Sequence, residues 1–326
     1  MTMDRRHFIK LSAAALTTAT LRAQVADAPR KIGIVGVPFN SSGVTSGVGR
    51  APAALRAHGL VEQLSAVNDV RDYGDVRFAA LRPVRDSVSG IKSLKATESM
   101  VPAVEAVVAR VLADGRFPLI LGGDCPVMLG GLAAAHRRLG HVGLMFVDGH
   151  EDAYPPHASP TGEAADMEFA FAIGLYLEDA PRSFANRFPI VQASDTVIIG
   201  ARDTADLAHD KVASLASKVR VISDAQAQAQ DCAVLASEQL ARLEANGVSG
   251  VWLHTDLDVL SSAALAAVDY PQPGGFSWAQ LASVARVAIR RPSTIGWDVT
   301  IYNPDLDPHQ ARAASIVKFI AGAFNA

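Results

Sequence analysis

From Lys31 onward the chain repeats one pattern: a short run of apolar, β-prone residues, a polar turn, then a longer stretch with apolar residues at helical spacing. The short runs fall at 31–37, 118–121, 143–147, 196–200, 219–222, 251–256 and 294–301. Most are apolar at consecutive rather than alternate positions, so neither face of the strand is left for water. The longer stretches, 101–112, 127–139, 232–245, 278–289 and 308–324, read as helices, several of them closed by glycine or proline. Strands alternating with helices predict a three-layer α-β-α fold of the α/β class, with a mostly parallel central sheet. No linker divides the chain, so residues 29–326 read as one catalytic domain.

Polar residues gather where three of these strands end. The segments are Gly122-Gly123-Asp124-Cys125, Asp148-Gly149-His150-Glu151-Asp152 and Asp256-Leu257-Asp258. Ligands of open α/β sheets bind beyond the carboxyl ends of the strands. Asp148, His150 and Asp152 stand at alternate positions, as do Asp256 and Asp258, so an extended strand end would project each set to one side. A lone Asp-x-Asp is more often a turn or helix cap. Two such sets in one crevice are different, because the carboxylates would repel one another unless cations lay between them. Oxygen ligands with one imidazole suit manganese, whereas a closed zinc site would be richer in cysteine and histidine.

Composition narrows the class further. The chain has 326 residues, of which 49% are hydrophobic and 19% charged, enough apolar material for a large core. A formal net charge of −3 offers no general attraction to nucleic acid or anionic membrane, so the expected partner is a small-molecule substrate. The two cysteines, Cys125 and Cys232, read as unrelated thiols and not as a bridge. Ahead of the domain, Arg5-Arg6-His7-Phe8-Ile9-Lys10 precedes a mild apolar run from Leu11 to Leu21, the order of a twin-arginine signal. Residues 1–28 are therefore expected to be a leader read by the twin-arginine export machinery, cleaved near Ala23 or Ala28. The mature protein would be periplasmic or secreted, with no membrane association after signal removal.

At the three strand-end segments the sequence resembles the ureohydrolases, the superfamily of arginase and agmatinase. The family pattern Gly-Gly-Asp-His is met by Gly122-Gly123-Asp124-Cys125, Asp-Ala-His-x-Asp by Asp148 to Asp152, and Asp-x-Asp by Asp256 to Asp258. Pro271-Gln272-Pro273-Gly274-Gly275 and Asp298 to Pro304 follow in the same order, so the resemblance spans Lys31 to the C-terminus. It implies a homo-oligomeric hydrolase with two divalent metal ions, manganese in the usual case. One would be held by Cys125, Asp148, Asp152 and Asp256, the other by Asp148, His150, Asp256 and Asp258. Water activated between them would attack an amidino-type carbon. His150 and Asp152 would be the catalytic side chains, with Asp152 relaying a proton to the leaving amine.

Three departures modify that expectation. Cys125 stands where most members of the family carry histidine, replacing a nitrogen ligand by a softer thiolate. Ile301 aligns with the glutamate that arginase-like members use to hold the guanidinium group. Ala165 aligns with a proton-shuttling histidine, leaving His157, Glu163 or Asp166 as substitutes. Tyr154 and Ala205 occupy positions where an amino-acid head group is normally recognised, which argues against free arginine. Tyr154, Thr161, Asp269, Tyr270 and Ile301 are the candidate substrate contacts, with Glu151, Asp269 and Asp298 as possible replacements for the missing carboxylate. The expected activity is cleavage of a C–N bond in a guanidino or amidino substrate. The alternatives are a metal-dependent deamidase or deacetylase on the same fold, or an exported metal- or ligand-binding protein without catalysis. His254, two residues before Asp256, is either a neighbour of the ligands or an ordinary strand histidine.

Overall fold

The computed structural model describes residues 29–325, and the expected leader lies outside the described residues. Eight strands form one sheet: β1 (Lys31–Val37), β2 (Asp69–Asp75), β3 (Phe117–Gly122), β4 (Val142–Val147), β5 (Thr196–Ile199), β6 (Arg220–Ile222), β7 (Gly250–Asp256) and β8 (Thr294–Thr300). Their spatial order is β2-β1-β3-β8-β7-β4-β5-β6, and every neighbouring pair is parallel.

Both faces of the sheet are covered, as the unbroken apolar runs require. Ile32, Ile34, Leu119, Leu121, Met145 and Val147 pack on one side against the helices Ala51–Ala57, Cys232–Ala245, Trp278–Arg290 and Ala311–Phe324. Val35, Val37, Ile120, Leu144 and Phe146 pack on the other, against Leu94–Ala113, Val127–Leu139 and Glu168–Ala172. Neighbouring residues of a strand thus feed opposite cores, giving a three-layer α/β fold. Among the described residues, no helix is long and apolar enough to cross a membrane.

Two features depart from the sequence reading. β2 was not expected, because Asp69-Val-Arg-Asp-Tyr-Gly-Asp75 carries no apolar run. It is an edge strand paired only with β1, largely exposed, and its charges suit an edge that must not recruit another strand. The helix expected at 101–112 begins earlier, running Leu94–Ala113 with Pro102 inside it.

The strand order places the chemistry. β3, β8, β7 and β4 are consecutive in the middle of the sheet, so the segments leaving their carboxyl ends share one crevice.

Candidate metal centre

Cys125, Asp148, His150, Asp152, Asp256 and Asp258 all line one cleft of about 260 Å³. The strand-alternation argument, however, does not explain how they converge. β4 ends at Val147, so Asp148, His150 and Asp152 lie on the loop beyond it, and Asp152 has a left-handed backbone (φ 46°). Asp256 is the last residue of β7, and Asp258 sits in the 3-10 turn Leu257–Val259.

The loop holds its shape by returning its acids to its own amides. The His150 N–H donates to Asp148 Oδ1 (2.7 Å), the Asp258 N–H to Asp256 Oδ1 (2.7 Å), and the Gly149 N–H to Asp258 Oδ1 (3.0 Å). One oxygen of each acid is thereby fixed, and the other turns to a side chain of the candidate ligand group: Asp256 Oδ2 to Cys125, Asp258 Oδ2 to His150 and Asp148 Oδ2 to His254. Arg202 clamps the same turn, donating to the carbonyl of Asp258 at 2.6 Å. Among the described residues it fixes the loop through backbone carbonyls and not through an ion pair. A Cβ on Gly149 would lie 2.6 Å from the Arg202 guanidinium, which accounts for glycine at that position. Gly123 is needed for another close approach, since its Cβ would fall 2.0 Å from the Phe39 carbonyl oxygen.

The electrostatics of this floor are those of a site built for cations. Burial, and then the neighbouring carboxylates Asp258 and Asp148, push Asp256 well above the usual carboxylate range. Asp152 is pushed up in the same way, by burial and then by Glu168 and Asp148. Burial and the charge of Asp256 raise the Cys125 thiol, whose sulfur lies 2.5 Å from Asp256 Oδ2. Burial opposes a charged His150, but Asp258 at 2.9 Å and Asp148 at 3.6 Å outweigh it and raise the imidazole. Divalent cations would reverse these penalties for the acids and the thiol. The donor set fits them: Asp148 Oδ2, both Glu168 oxygens and His254 Nε2 are buried without any hydrogen-bond partner.

His254 belongs to this neighbourhood. Its Nδ1 meets Asp298 Oδ2 at 2.5 Å, its ring stacks on Phe146, and its Nε2 faces Asp148 Oδ2 at 3.5 Å. Glu168 escaped the sequence reading altogether. It is fully buried at the start of the Glu168–Ala172 helix, beside Asp152. Its one signal was an acid set in the apolar run Met167-Glu168-Phe169-Ala170-Phe171.

The rim is a different assembly. Tyr154, Thr161, Tyr270 and Ile301 line the cleft, together with Ala165 and Asp166. Tyr154 donates to Asp210 (2.9 Å), Thr161 to Asp166 (2.5 Å) and Tyr270 to Glu163 (3.0 Å). Asp269 does not line the cleft; it accepts from Asn303 at 2.6 Å, which corrects its expected place as a substrate contact. Nor do the other two candidate replacements for the missing carboxylate face it. Glu151 accepts from Ser214 and from the Leu215 amide, and Asp298 is shared between Trp252 and His254. Of the possible shuttle groups, His157 lies outside the cleft and Glu163 is held by Lys92 and Tyr270, which leaves Asp166.

Ile301 is in the left-handed region (φ 66°), a costly conformation for a β-branched residue. It is held there because its N–H donates to the Gly123 carbonyl (2.9 Å) and flanking Tyr302 bridges Val268. Eight of the sixteen lining residues are aspartates, and no arginine or lysine is among them. Four of the aspartates, Asp166, Asp203, Asp206 and Asp210, lie outside the candidate metal ligands, and such a rim selects cations.

Known proteins are similar to this chain in sequence and in fold. The arginase family model matches residues 30–324. Arginase of Bacillus caldovelox is 26% identical over 297 residues, 90% of this chain and 98% of that protein. Human arginase-1 is 27% identical over 281 residues, 85% of this chain and 86% of that protein. The solved structure of Bacillus caldovelox arginase superposes with a TM-score of 0.79 at 24% identity, over 91% of this chain and 99% of that one. A hypothetical agmatinase from Burkholderia thailandensis gives 0.67 at 20% identity, over 91% and 86%.

Proposed function

Because this chain belongs to the arginase family, we propose that it is a two-metal hydrolase cleaving a C–N bond of a guanidino- or amidino-type substrate that carries a second cationic group and no carboxylate. Hydrolysis of non-peptide C–N bonds in linear amidines is the chemistry of the family. The observation that carries the narrower reading is the rim of the cleft, where Asp166, Asp203, Asp206 and Asp210 stand apart from the candidate metal ligands and no arginine or lysine is present. At that rim a carboxylate head group would be repelled, while an amine reaching Asp206 or Asp210 would be attracted.

Two divalent cations, manganese in the family's usual form, would sit among Cys125, Asp148, His150, Asp152, Asp256 and Asp258 and supply Lewis-acid chemistry, lowering the pKa of water and polarising the amidino carbon. The chain's own groups do the rest. Asp152, buried and facing the cleft, accepts the proton released by the nucleophile and passes it to the leaving nitrogen. Asp166, braced by Ser159 and Thr161, is the exit for that proton where Ala165 offers none. Ile301 and Pro160 supply apolar contact to the substrate's chain. We further propose that Arg5-Arg6 and the apolar run after them act as a leader that sends the protein through the twin-arginine machinery to the periplasm or the exterior, and that it works as a homo-oligomer, as the family likeness suggests.

The test is a urea- and ammonia-release screen on the manganese-loaded protein. Guanidino amines should be cleaved at least about tenfold more efficiently than guanidino acids of equal length, the effect of about 1.4 kcal/mol of discrimination. Preference for arginine would overturn the substrate assignment. Release of ammonia or an acid without urea from simple amides would overturn the guanidino reading.

A further inference from the structure

Four side chains behind the cleft floor meet at one point. Cys125 follows β3, Asp148 follows β4, His254 lies on β7 and Glu168 opens a helix of the covering layer. One ligand atom from each nevertheless falls within 4.8 Å of all the others. Asp148 Oδ2, His254 Nε2 and both oxygens of Glu168 are the atoms left without partners. Glu168 and His254 are 0% exposed, so bulk water does not serve them. An unsatisfied carboxylate in a dry interior is costly, and several unsatisfied acceptors aimed at one point call for a cation.

The orientation of His254 fits that role. Asp298 takes its Nδ1 at 2.5 Å, the arrangement by which a carboxylate fixes a metal-binding imidazole and turns the other nitrogen's lone pair outward. A purely protonic explanation serves the cluster poorly. A proton shared between Glu168 and Asp152 would occupy one Glu168 oxygen and leave the other bare. A protonated His254 would have to reach Asp148 across 3.5 Å, at the far limit of a useful hydrogen bond. Asp148 is also suited to bridging, since its Oδ1 faces His150 while its Oδ2 faces His254.

We propose that one of the two cations is held by Cys125, Asp148, Glu168 and His254, in place of the Cys125, Asp148, Asp152 and Asp256 set implied by the family resemblance. This rests on the two-metal reading. A thiolate, an imidazole and two carboxylates would make a softer donor set, one that favours a zinc-like ion. Its neighbour keeps the Asp148, His150, Asp256 and Asp258 set implied by the family resemblance, of which Asp148, His150 and Asp258 already converge, and is the harder one. Asp152 is then released from ligation, which leaves its carboxylate free for proton transfer.

The experiment uses the full chain stripped of metal and reloaded with Co2+, with ions per chain counted and the thiolate-to-cobalt charge-transfer absorption recorded. Two ions and a thiolate band are expected for the parent protein. Glu168→Gln and His254→Asn should each weaken one ion by more than about tenfold and abolish the band. Asp152→Asn should keep both ions and the band. If either of the first two variants binds two ions with the band intact, or if Asp152→Asn loses the band, the ligand set proposed here is wrong. Two ions in the parent without a thiolate band would likewise overturn it. Fewer than about one ion per chain in the parent would instead sink the two-metal reading itself. Circular dichroism of the metal-free proteins checks folding. Should Glu168→Gln fail to fold, Glu168→Asp, which keeps the charge but withdraws the oxygen by one methylene, must still weaken the band.

Discussion

The floor and the rim of the cleft are built in opposite ways. On the floor, the acids are buried and hold themselves in place through backbone amides, as Asp148 does with His150 and Asp256 with Asp258. On the rim, side chains pair with side chains: Tyr154 with Asp210, Thr161 with Asp166, and the exposed Tyr270 with Glu163. The floor residues resemble the family motifs apart from Cys125, while the departures read from the sequence at Ile301, Ala165 and Tyr154 all fall on the rim. Backbone-anchored, buried carboxylates tolerate little change because each is bound to its neighbour's conformation. Hydroxyl–carboxylate pairs on loops can be exchanged singly. Under the proposed function, the comparison assigns reaction class to the floor and substrate choice to the rim.

Four experiments would break or sharpen that division. The largest effect belongs to Asp256→Asn, which should cost more than a hundredfold in turnover, on the order of losing metal support, together with a drop in bound metal. Turnover near that of the parent would show that the floor is not where the chemistry lies. Next comes metal itself. At a manganese concentration of about 100 times its dissociation constant, unfolding should cost roughly 2.7 kcal/mol more than in chelator, read as a rise in melting temperature. A melting temperature indifferent to metal would mean that the buried acids are satisfied without it.

Ile301→Glu tests the rim from the other side. A carboxylate at this position should improve binding of simple guanidinium compounds by about tenfold, the worth of a hydrogen bond to a charged group, and leave the ion count unchanged. If the ion count changes, Ile301 is part of the floor. The smallest effect is expected for the double variant Asp206→Asn and Asp210→Asn. It should raise KM for a guanidino amine several-fold, and added salt should shrink the difference, because partly exposed charges are screened. A kcat change without a KM change would contradict a role in holding the cationic group.

Much of this was legible in the sequence, and the reasons it was legible are local. Apolar runs longer than a half-buried strand needs announced a sheet covered on both faces, and the three acidic segments announced a strand-end site. β2 was illegible because an exposed edge strand carries charge in place of an apolar run. Asp269 was misplaced because nothing in the chain tells that Asn303 takes its carboxylate. Alternation along an extended strand was the wrong route to the right cluster, since Asp152 enters the cleft through a left-handed turn.

What the sequence by itself determined is the α/β class, the strand-end location of the chemistry and the types of group that carry it, because hydrophobic periodicity and motif spacing are properties of neighbouring residues. Tertiary structure alone decided which groups meet. Glu168 and His254 are 86 positions apart in the chain. They come within 4.8 Å of Cys125 and Asp148 because β3, β7 and β4 lie in the centre of the sheet while the Glu168–Ala172 helix packs over it. Whether an acid is a solvated turn residue or an unpartnered group awaiting a cation depends on the desolvation that such packing imposes, and desolvation has no local signature.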